Sequence, residues 1–234
     1  YNVYMQLVLT PVLLIEAYKQ GLFPMAYSGD SPYVHWICPD MRGQLPIEGL
    51  HIPKRLKKTV LSNLKRNAPY EIRIDTAFED VIRACAGNHD GRPETWINEP
   101  IIKVYCALRA QGHAHSVECW DVSGEQERLV GGLYGLAIGG AFFGESMFSH
   151  ARDASKIALV HLAARLWKGG YSVLDTQFVN EHLKQFGVYE LPHKAYMEVL
   201  RPACLKIADF NLEGINEHTL IEAYFAMRAD GEAA

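Results

Sequence analysis

The sequence has no Walker loop, no G-x-G-x-x-G turn and no G-x-S-x-G elbow. The most frequent phosphate-, dinucleotide- and serine-hydrolase signatures are therefore missing. Its five cysteines (Cys38, Cys85, Cys106, Cys119, Cys204) are odd in number, dispersed and without a C-x-x-C. That spacing argues against a disulfide framework or a thiolate metal site, and for reduced, mostly buried thiols in a cytosolic protein. Long hydrophobic runs are also lacking. The longest uncharged stretch, Leu129–Gly144, is too short to cross a bilayer and contains six glycines. The chain starts at Tyr1 with no basic region leading to a small-residue cleavage site, and an initiator residue or short leader is expected before it.

What is present fits an ordinary folded protein. The 234 residues are 49% hydrophobic and 21% charged, enough for one large domain or two small ones, and too apolar for wholesale disorder. The net charge of -4 speaks weakly against a nucleic-acid partner when taken whole. It is unevenly spread, however. Residues 203–234 hold two basic and six acidic residues, which accounts for the entire imbalance. Within the neutral remainder, residues 49–70 carry Lys54, Arg55, Lys57, Lys58, Lys65 and Arg66 and no acid. This is a locally cationic patch, whether it binds a polyanion or is only a solvated helix face.

Thr10-Pro11 reads as an N-cap and a proline at the first helical position, with Gly21 as the stop. Residues 22–53, rich in Pro, Gly and aromatics, read as irregular. A basic amphipathic helix is expected over 54–66, then a strand at 70–74 and a helix opened by a Thr76-x-x-Glu79 capping box. A polar loop at 87–95 precedes a helix near 99–111. Strands at 115–120, 129–136 and 137–143 follow, the last with Gly139-Gly140 at a turn or bulge. A helix over 155–168, a strand at 171–175, a helix near 193–200 and a further one near 217–228 complete the reading. The order points to an α+β fold with one mixed sheet behind a small N-terminal unit. The expected divisions are 1–68, 69–202 and an acidic extension, 203–234.

Two stretches carry candidate chemistry. Glu145 lies in Gly144-Glu145-Ser146-Met147-Phe148-Ser149, just after an apolar strand, where a carboxylate is not freely solvated. It serves either a site or a structural cap. In Leu174-Asp175-Thr176-Gln177, extended backbone would send Asp175 and Gln177 to the same side. Such a carboxylate and amide can hold an amine and a developing oxyanion, although for this stretch taken alone a turn-forming Asp is the favoured reading. His113 and His115 share a face, but no third ligand stands at zinc spacing, and structural histidines are the expectation.

Nine segments in order resemble the leucyl/phenylalanyl-tRNA–protein transferase family. They include Ala17-Tyr18-x-x-Gly21-Leu22-Phe23-Pro24-Met25, Trp36-x-x-Pro39-Asp40-x-Arg42-Gly43, Thr95-Trp96-Ile97 and Phe143-Gly144-Glu145-Ser146-Met147-Phe148-Ser149, and they end at Leu174-Asp175-x-Gln177. The resemblance spans roughly residues 13–200 and departs from the family in two places: a glycine-rich lead-in is replaced by Tyr1–Leu9, and 203–234 runs past the family core. It implies a C-terminal domain of the GCN5-related acetyltransferase type behind a small N-terminal α/β domain. It also implies transfer of Leu or Phe, less so Met, from charged tRNA to an N-terminal Arg or Lys of a protein, creating an N-end rule degradation signal.

The same resemblance assigns residues. Asp175 and Gln177 become the catalytic pair, with Asp175 either taking the amine's proton or only positioning it. Glu145 becomes the acceptor-site acid. Leu133, Phe142 and Leu174 become the aminoacyl pocket. Met25 and Trp96 are placed near the terminal adenosine, and Asn180 in the same substrate site. The cationic patch would face the acceptor stem. The ester is already activated, so neither cofactor nor metal is expected, and the location implied is cytoplasmic, with no membrane partner. Three rivals compete: an acyl-CoA-dependent N-acetyltransferase, whose glycine-rich pyrophosphate loop is missing at Ser149–Ser155; a non-catalytic RNA-binding module; and the sister leucyltransferase acting on acidic N-termini.

Overall fold

The computed structural model describes residues 8–87 and 95–232, with side chains through 229. Most of the polar loop read at 87–95, and Tyr1–Gln6 and Leu7 of the variant lead-in, lie outside the described residues. Helix α1 (Pro11–Lys19) begins as its sequence dictates, with Thr10 Oγ1 accepting from the Leu13 N–H at 3.2 Å. Strands β1 (Phe23–Ala26) and β2 (Val34–Ile37) then form a two-stranded antiparallel ribbon. Next come β3 (Met41–Gln44), α2 (Lys54–Ser62), β4 (Tyr70–Ile74), α3 (Phe78–Ala86) and α4 (Glu99–Ala110). The antiparallel meander β5 (Ala114–Asp121), β6 (Arg128–Ile138) and β7 (Ala141–Ser149) leads through α5 (Ala154–Lys168) to β8 (Val173–Gln177). Short α6 (Glu181–Lys184), β9 (Tyr189–Pro192), α7 (His193–Cys204) and α8 (Glu217–Glu232) follow.

The main sheet has seven strands in the order β4-β5-β6-β7-β8-β3-β9. It is mixed: β7 and β8 are parallel and the other pairs antiparallel. Parallel pairing requires a crossover, and α5 supplies it. Helices cover both faces, so strand residues alternate between two cores. Leu133, Phe142 and Leu174 pack with residues of α2, α5 and α8. Tyr134 and Phe143, one position on, pack with residues of α1, α3, α4 and α7.

The segment 22–53, read as irregular, holds three strands. Each is only four residues long, and β3 takes both its partners, β8 and β9, from more than a hundred residues downstream. Neither feature leaves a local pattern. The basic helix stops at Ser62, so Lys65 and Arg66 lie beyond its end. The expected capping box does not form either. Helix α3 is capped at Ala77, and Glu118 from β5 accepts from the Ala77 N–H at 2.7 Å and from Thr76 Oγ1, while Glu79 pairs with Arg83. The buried thiols number fewer than expected: Cys85 and Cys119 are buried and Cys38 is exposed. Gly139 has φ +56° at the β6–β7 turn, as its place in the sequence required.

Packing does not break at the expected divisions. Strand β3, from within 1–68, sits inside the main sheet, and α8, from within 203–234, delivers buried Leu220, Ile221, Tyr224 and Phe225 to the same core as α5. Among the described residues no helix is long and apolar enough to cross a membrane.

Candidate active site

Strands β7 and β8 pair only where Ala141–Phe143 lies beside Val173–Asp175. Beyond Phe143 and Asp175 they part, and a cavity of about 200 Å³ opens between them. Leu45, Leu133, Leu159, Leu162 and Leu174 make its walls largely apolar. Phe23, Met25 and Trp96 close it from the N-terminal side, and Glu145, Gln177 and Asn180 supply polar groups.

Glu145 reaches the cavity through a bulge. Tyr134 pairs with Ser146 and Gly135 with Gly144, which leaves Glu145 as the unmatched residue of β7. A bulge of this kind redirects one side chain out of the strand's alternation. A Cβ at Gly135 would collide with the Phe143 carbonyl and the Phe142 ring, so only glycine fits opposite. Two donors meet on Glu145 Oε1: Tyr18 Oη at 2.7 Å and Gln177 Nε2 at 3.1 Å. Fully buried Tyr18 also lies 2.6 Å from the hydroxyl of fully buried Tyr105. Burial pushes the Glu145 carboxyl up to about 8, against the pull of the tyrosine hydrogen bonds.

Asp175 does not line the cavity. It is fully buried, and its carboxylate is already engaged. Arg42 Nε donates to both oxygens at 3.1 and 2.9 Å, Tyr196 Oη donates to Oδ2, and the Gln177 N–H donates to Oδ1 at 2.7 Å. Burial raises the Asp175 pKa while these donors oppose the rise. Arg42 is in turn fixed by a 2.8 Å bond to the Gly21 carbonyl and lies over the rings of Phe23 and Tyr196. Gln177 has φ +58°, so extended backbone ends before it. It is this left-handed turn, closed by Asp175 on the Gln177 N–H, that brings the Gln177 amide to Glu145. Strand alternation, the sequence-based rationale, does not.

The cavity thus brings together Met25, Trp96, Leu133, Glu145, Leu174, Gln177 and Asn180. Asn180 also caps α6, accepting from the Leu183 N–H at 2.9 Å. Phe142 stands apart. It lies on the still-paired part of β7, fully buried, stacked at 5.5 Å on Phe210. Lys54, Arg55, Lys57, Lys58, Lys65 and Arg66 are all exposed, with Lys57 Nζ over the Phe225 ring and Arg55 3.7 Å from Asp153. His115 is a structural histidine, bonded to Asp75 at 2.7 Å and stacked on Phe210. Sequence reasoning gave no role to Arg42, Tyr18, Tyr105 or Tyr196. The first two stand in the segments that carry the family resemblance, whereas Tyr105 and Tyr196 look like any aromatic on a helix face.

Fold and site together define a mixed α/β protein with a slot sized for an apolar acyl group, bordered by a carboxylate and an amide. A family model described as leucyl/phenylalanyl-tRNA protein transferase matches residues 44–201, and that of its N-terminal domain matches 8–40. A leucyl/phenylalanyl-tRNA–protein transferase of Hyphomonas neptunium is 55% identical over 86% of this chain and 74% of its own length. Proteins of the same name from Phenylobacterium zucineum and Paramagnetospirillum magneticum are 53% and 54% identical, covering 84% and 87% of this chain and 85% and 93% of their own. The chain belongs to the leucyl/phenylalanyl-tRNA–protein transferase family, a family of aminoacyltransferases.

Proposed function

We propose that this protein moves a leucyl or phenylalanyl group from charged tRNA onto the N-terminal Arg or Lys of a protein in the cytoplasm, marking it for degradation. The observation that carries the reading is the Glu145–Gln177 pair, 3.1 Å apart, at the border of an apolar slot. The slot suits Leu or Phe by shape alone, and a pocket without hydrogen-bond readout discriminates only coarsely. Glu145, as a carboxylate, suits a guanidinium or ammonium. Trp96 and Met25, at the cavity's wall, are the residues proposed to pack on the terminal adenosine, where stacking on an aromatic is worth about 1–3 kcal/mol. The open β7–β8 pair joined through α5 supports the reading of this domain as GCN5-related acetyltransferase-like.

In the reaction, the neutral α-amine attacks the ester carbonyl carbon. The new C–N bond forms, the C–O bond to the ribose breaks, and the amine proton ends on the ribose oxygen. An α-amine of pKa about 7.7–8.0 is already partly neutral at pH 7, so orientation is the main requirement. Gln177 orients the amine beside Glu145. Asp175 acts behind them as a positioning residue, since its carboxylate is spent on Arg42, Tyr196 and the Gln177 N–H. No step needs a metal or cofactor. The test is to mix labelled Leu-tRNA with peptides starting Arg, Lys, Asp or Ala. Label in the Arg and Lys peptides is expected; label in the Asp peptide alone would reassign the acceptor, and label in none would refute the reading.

A further inference from the structure

A second cavity, about 700 Å³, lies between α2, the β7–α5 junction and α6. It shares His182 with the substrate cavity, so the two adjoin along α6. Cations from three elements line it and gather round a single carboxylate. Arg55 of α2, Arg152 of the junction and Lys156 of α5 stand 3.7, 3.9 and 3.0 Å from Asp153. The carboxylate is largely covered, with a side-chain exposure of 14%, whereas Arg55 and Arg152 are 65% and 74% exposed. Three cations against one carboxylate leave an excess of two positive charges on the wall. The two arginine contacts are long and solvated, a kind of ion pair that contributes little. Guanidinium groups so loosely held keep donors free for an incoming phosphate, to which each can present two parallel N–H bonds.

We infer that this cavity seats a backbone phosphate of the RNA strand whose aminoacylated 3′ end enters the neighbouring slot. The inference rests on the function proposed above and adds a contact outside the α2 patch alone. Two relations favour RNA over a free anion. The cavity shares the lining residue His182 with the substrate slot, and Arg55 links it to the exposed basic residues of α2.

The experiment compares two leucine donors, Leu-tRNA and 3′-O-leucyl-adenosine, the second lacking any phosphate. Arg152→Ala, in an exposed position, is expected to raise the KM for Leu-tRNA about fivefold and to flatten the log–log salt slope by about 0.9. The KM for leucyl-adenosine should not move. Asp153→Asn is the opposite test. Asparagine tolerates the φ of +61° at that position, and the added positive excess should lower the KM for Leu-tRNA about threefold. Structural damage would not produce an improvement. Unchanged KM and slope in Arg152→Ala, or weaker Leu-tRNA use in Asp153→Asn, overturns the inference. Calorimetric binding of inorganic phosphate that Arg152→Ala abolishes while Leu-tRNA use is unaffected overturns it in favour of a free anion. If the unaltered protein transfers leucine from neither donor, the functional reading fails first and this site assignment with it.

Discussion

Arg42 and Asp175 form a buried ion pair, with Nε donating to both carboxylate oxygens at 3.1 and 2.9 Å, and the same carboxylate caps the backbone N–H of Gln177. Residues 133 positions apart thereby fix the left-handed turn that points the Gln177 amide at Glu145. The pair sits behind the cavity and reaches it through Gln177.

Asp175→Asn should therefore behave as a loss of positioning. Transfer is expected to fall about tenfold or more, since a misplaced reacting geometry is costly. The pH profile of the residual activity should keep its shape, because Asp175 is not the group that titrates in the rate. Loss of the pH dependence in Asp175→Asn would instead make it the proton acceptor.

Arg42→Met leaves the Asp175 carboxylate buried without its cation. Breaking a buried pair in this way costs about 3–5 kcal/mol. A chemical-denaturation midpoint far below that of the unaltered protein is expected, and an unchanged midpoint would show that the pair contributes no stability.

If Glu145 holds the acceptor's cation as proposed, it sets the pH dependence of acceptor capture. Its pKa of about 8 keeps the carboxyl largely neutral at pH 7, and it becomes the anion a guanidinium needs as pH rises through 8. The acceptor amine loses its own proton in the same range. Below both values, log(kcat/KM) for an Arg-started peptide should rise with a slope approaching about two, one for each required deprotonation. In Glu145→Gln the slope should drop to about one and the KM for the peptide should increase. Equal slopes would remove Glu145 from acceptor binding. The sign for stability is opposite. The folded state holds this proton more tightly than the unfolded chain, so Glu145 lowers stability as pH rises from the ordinary glutamate range toward 8.

The C-terminal segment is expected to be indispensable. At the level of sequence it reads as an acidic extension whose removal leaves transfer intact or tightens tRNA binding slightly. The structure corrects that expectation. Glu217 bonds His161 at 2.6 Å and Arg165 on α5, Tyr224 donates to the Ile47 carbonyl, and α8 buries two aliphatic and two aromatic side chains. Each such side chain is worth about 1.5–3 kcal/mol, so their sum rivals the whole stability of a domain. Deletion of 205–234 should yield insoluble or unfolded protein, as judged by circular dichroism; a folded, active truncation would contradict this. Burial works against the Glu217 carboxylate, but His161 and Arg165 more than offset it and hold its pKa below the usual value. Its contribution is thus present above the ordinary glutamate range and lost as pH falls through the depressed pKa. Glu217→Gln should flatten the acid limb of the stability curve.

The cationic face of α2 gives a salt-dependence test. If it neutralises about four phosphates, the log–log slope of tRNA affinity against salt should lie near -3 to -4. Affinity independent of salt would exclude the patch from binding.

Much of this was legible in the sequence where the signal is local. The Thr10 cap, the β5–β7 meander and the long α5 follow from capping residues and periodicity. Seven of the residues singled out from the sequence line one cavity. What sequence could not display is non-local. Strand β3 exists only because β8 and β9 pair with it, the α3 cap comes from Glu118 across the sheet, and the partner of Asp175 is an arginine on β3. Phe142 alternates correctly for the slot yet stays in the core, fully buried and stacked on Phe210 from the C-terminal segment. The net charge of -4 is as poor a guide: four of the six acids of 203–234 lie on α8, which packs on α5, while the basic residues of α2 stay exposed.

The most direct test is single-turnover transfer of labelled leucine from Leu-tRNA to an Arg-started peptide, with the unaltered protein and Glu145→Gln side by side at about pH 8.5, where the Glu145 carboxyl is mostly ionised. Leucine should appear on the peptide's N-terminal amine with the unaltered protein, and about tenfold or more slowly at subsaturating peptide with the variant. No transfer by the unaltered protein, or equal rates for the two, would contradict the assignment of this cavity as the aminoacyl-transfer site.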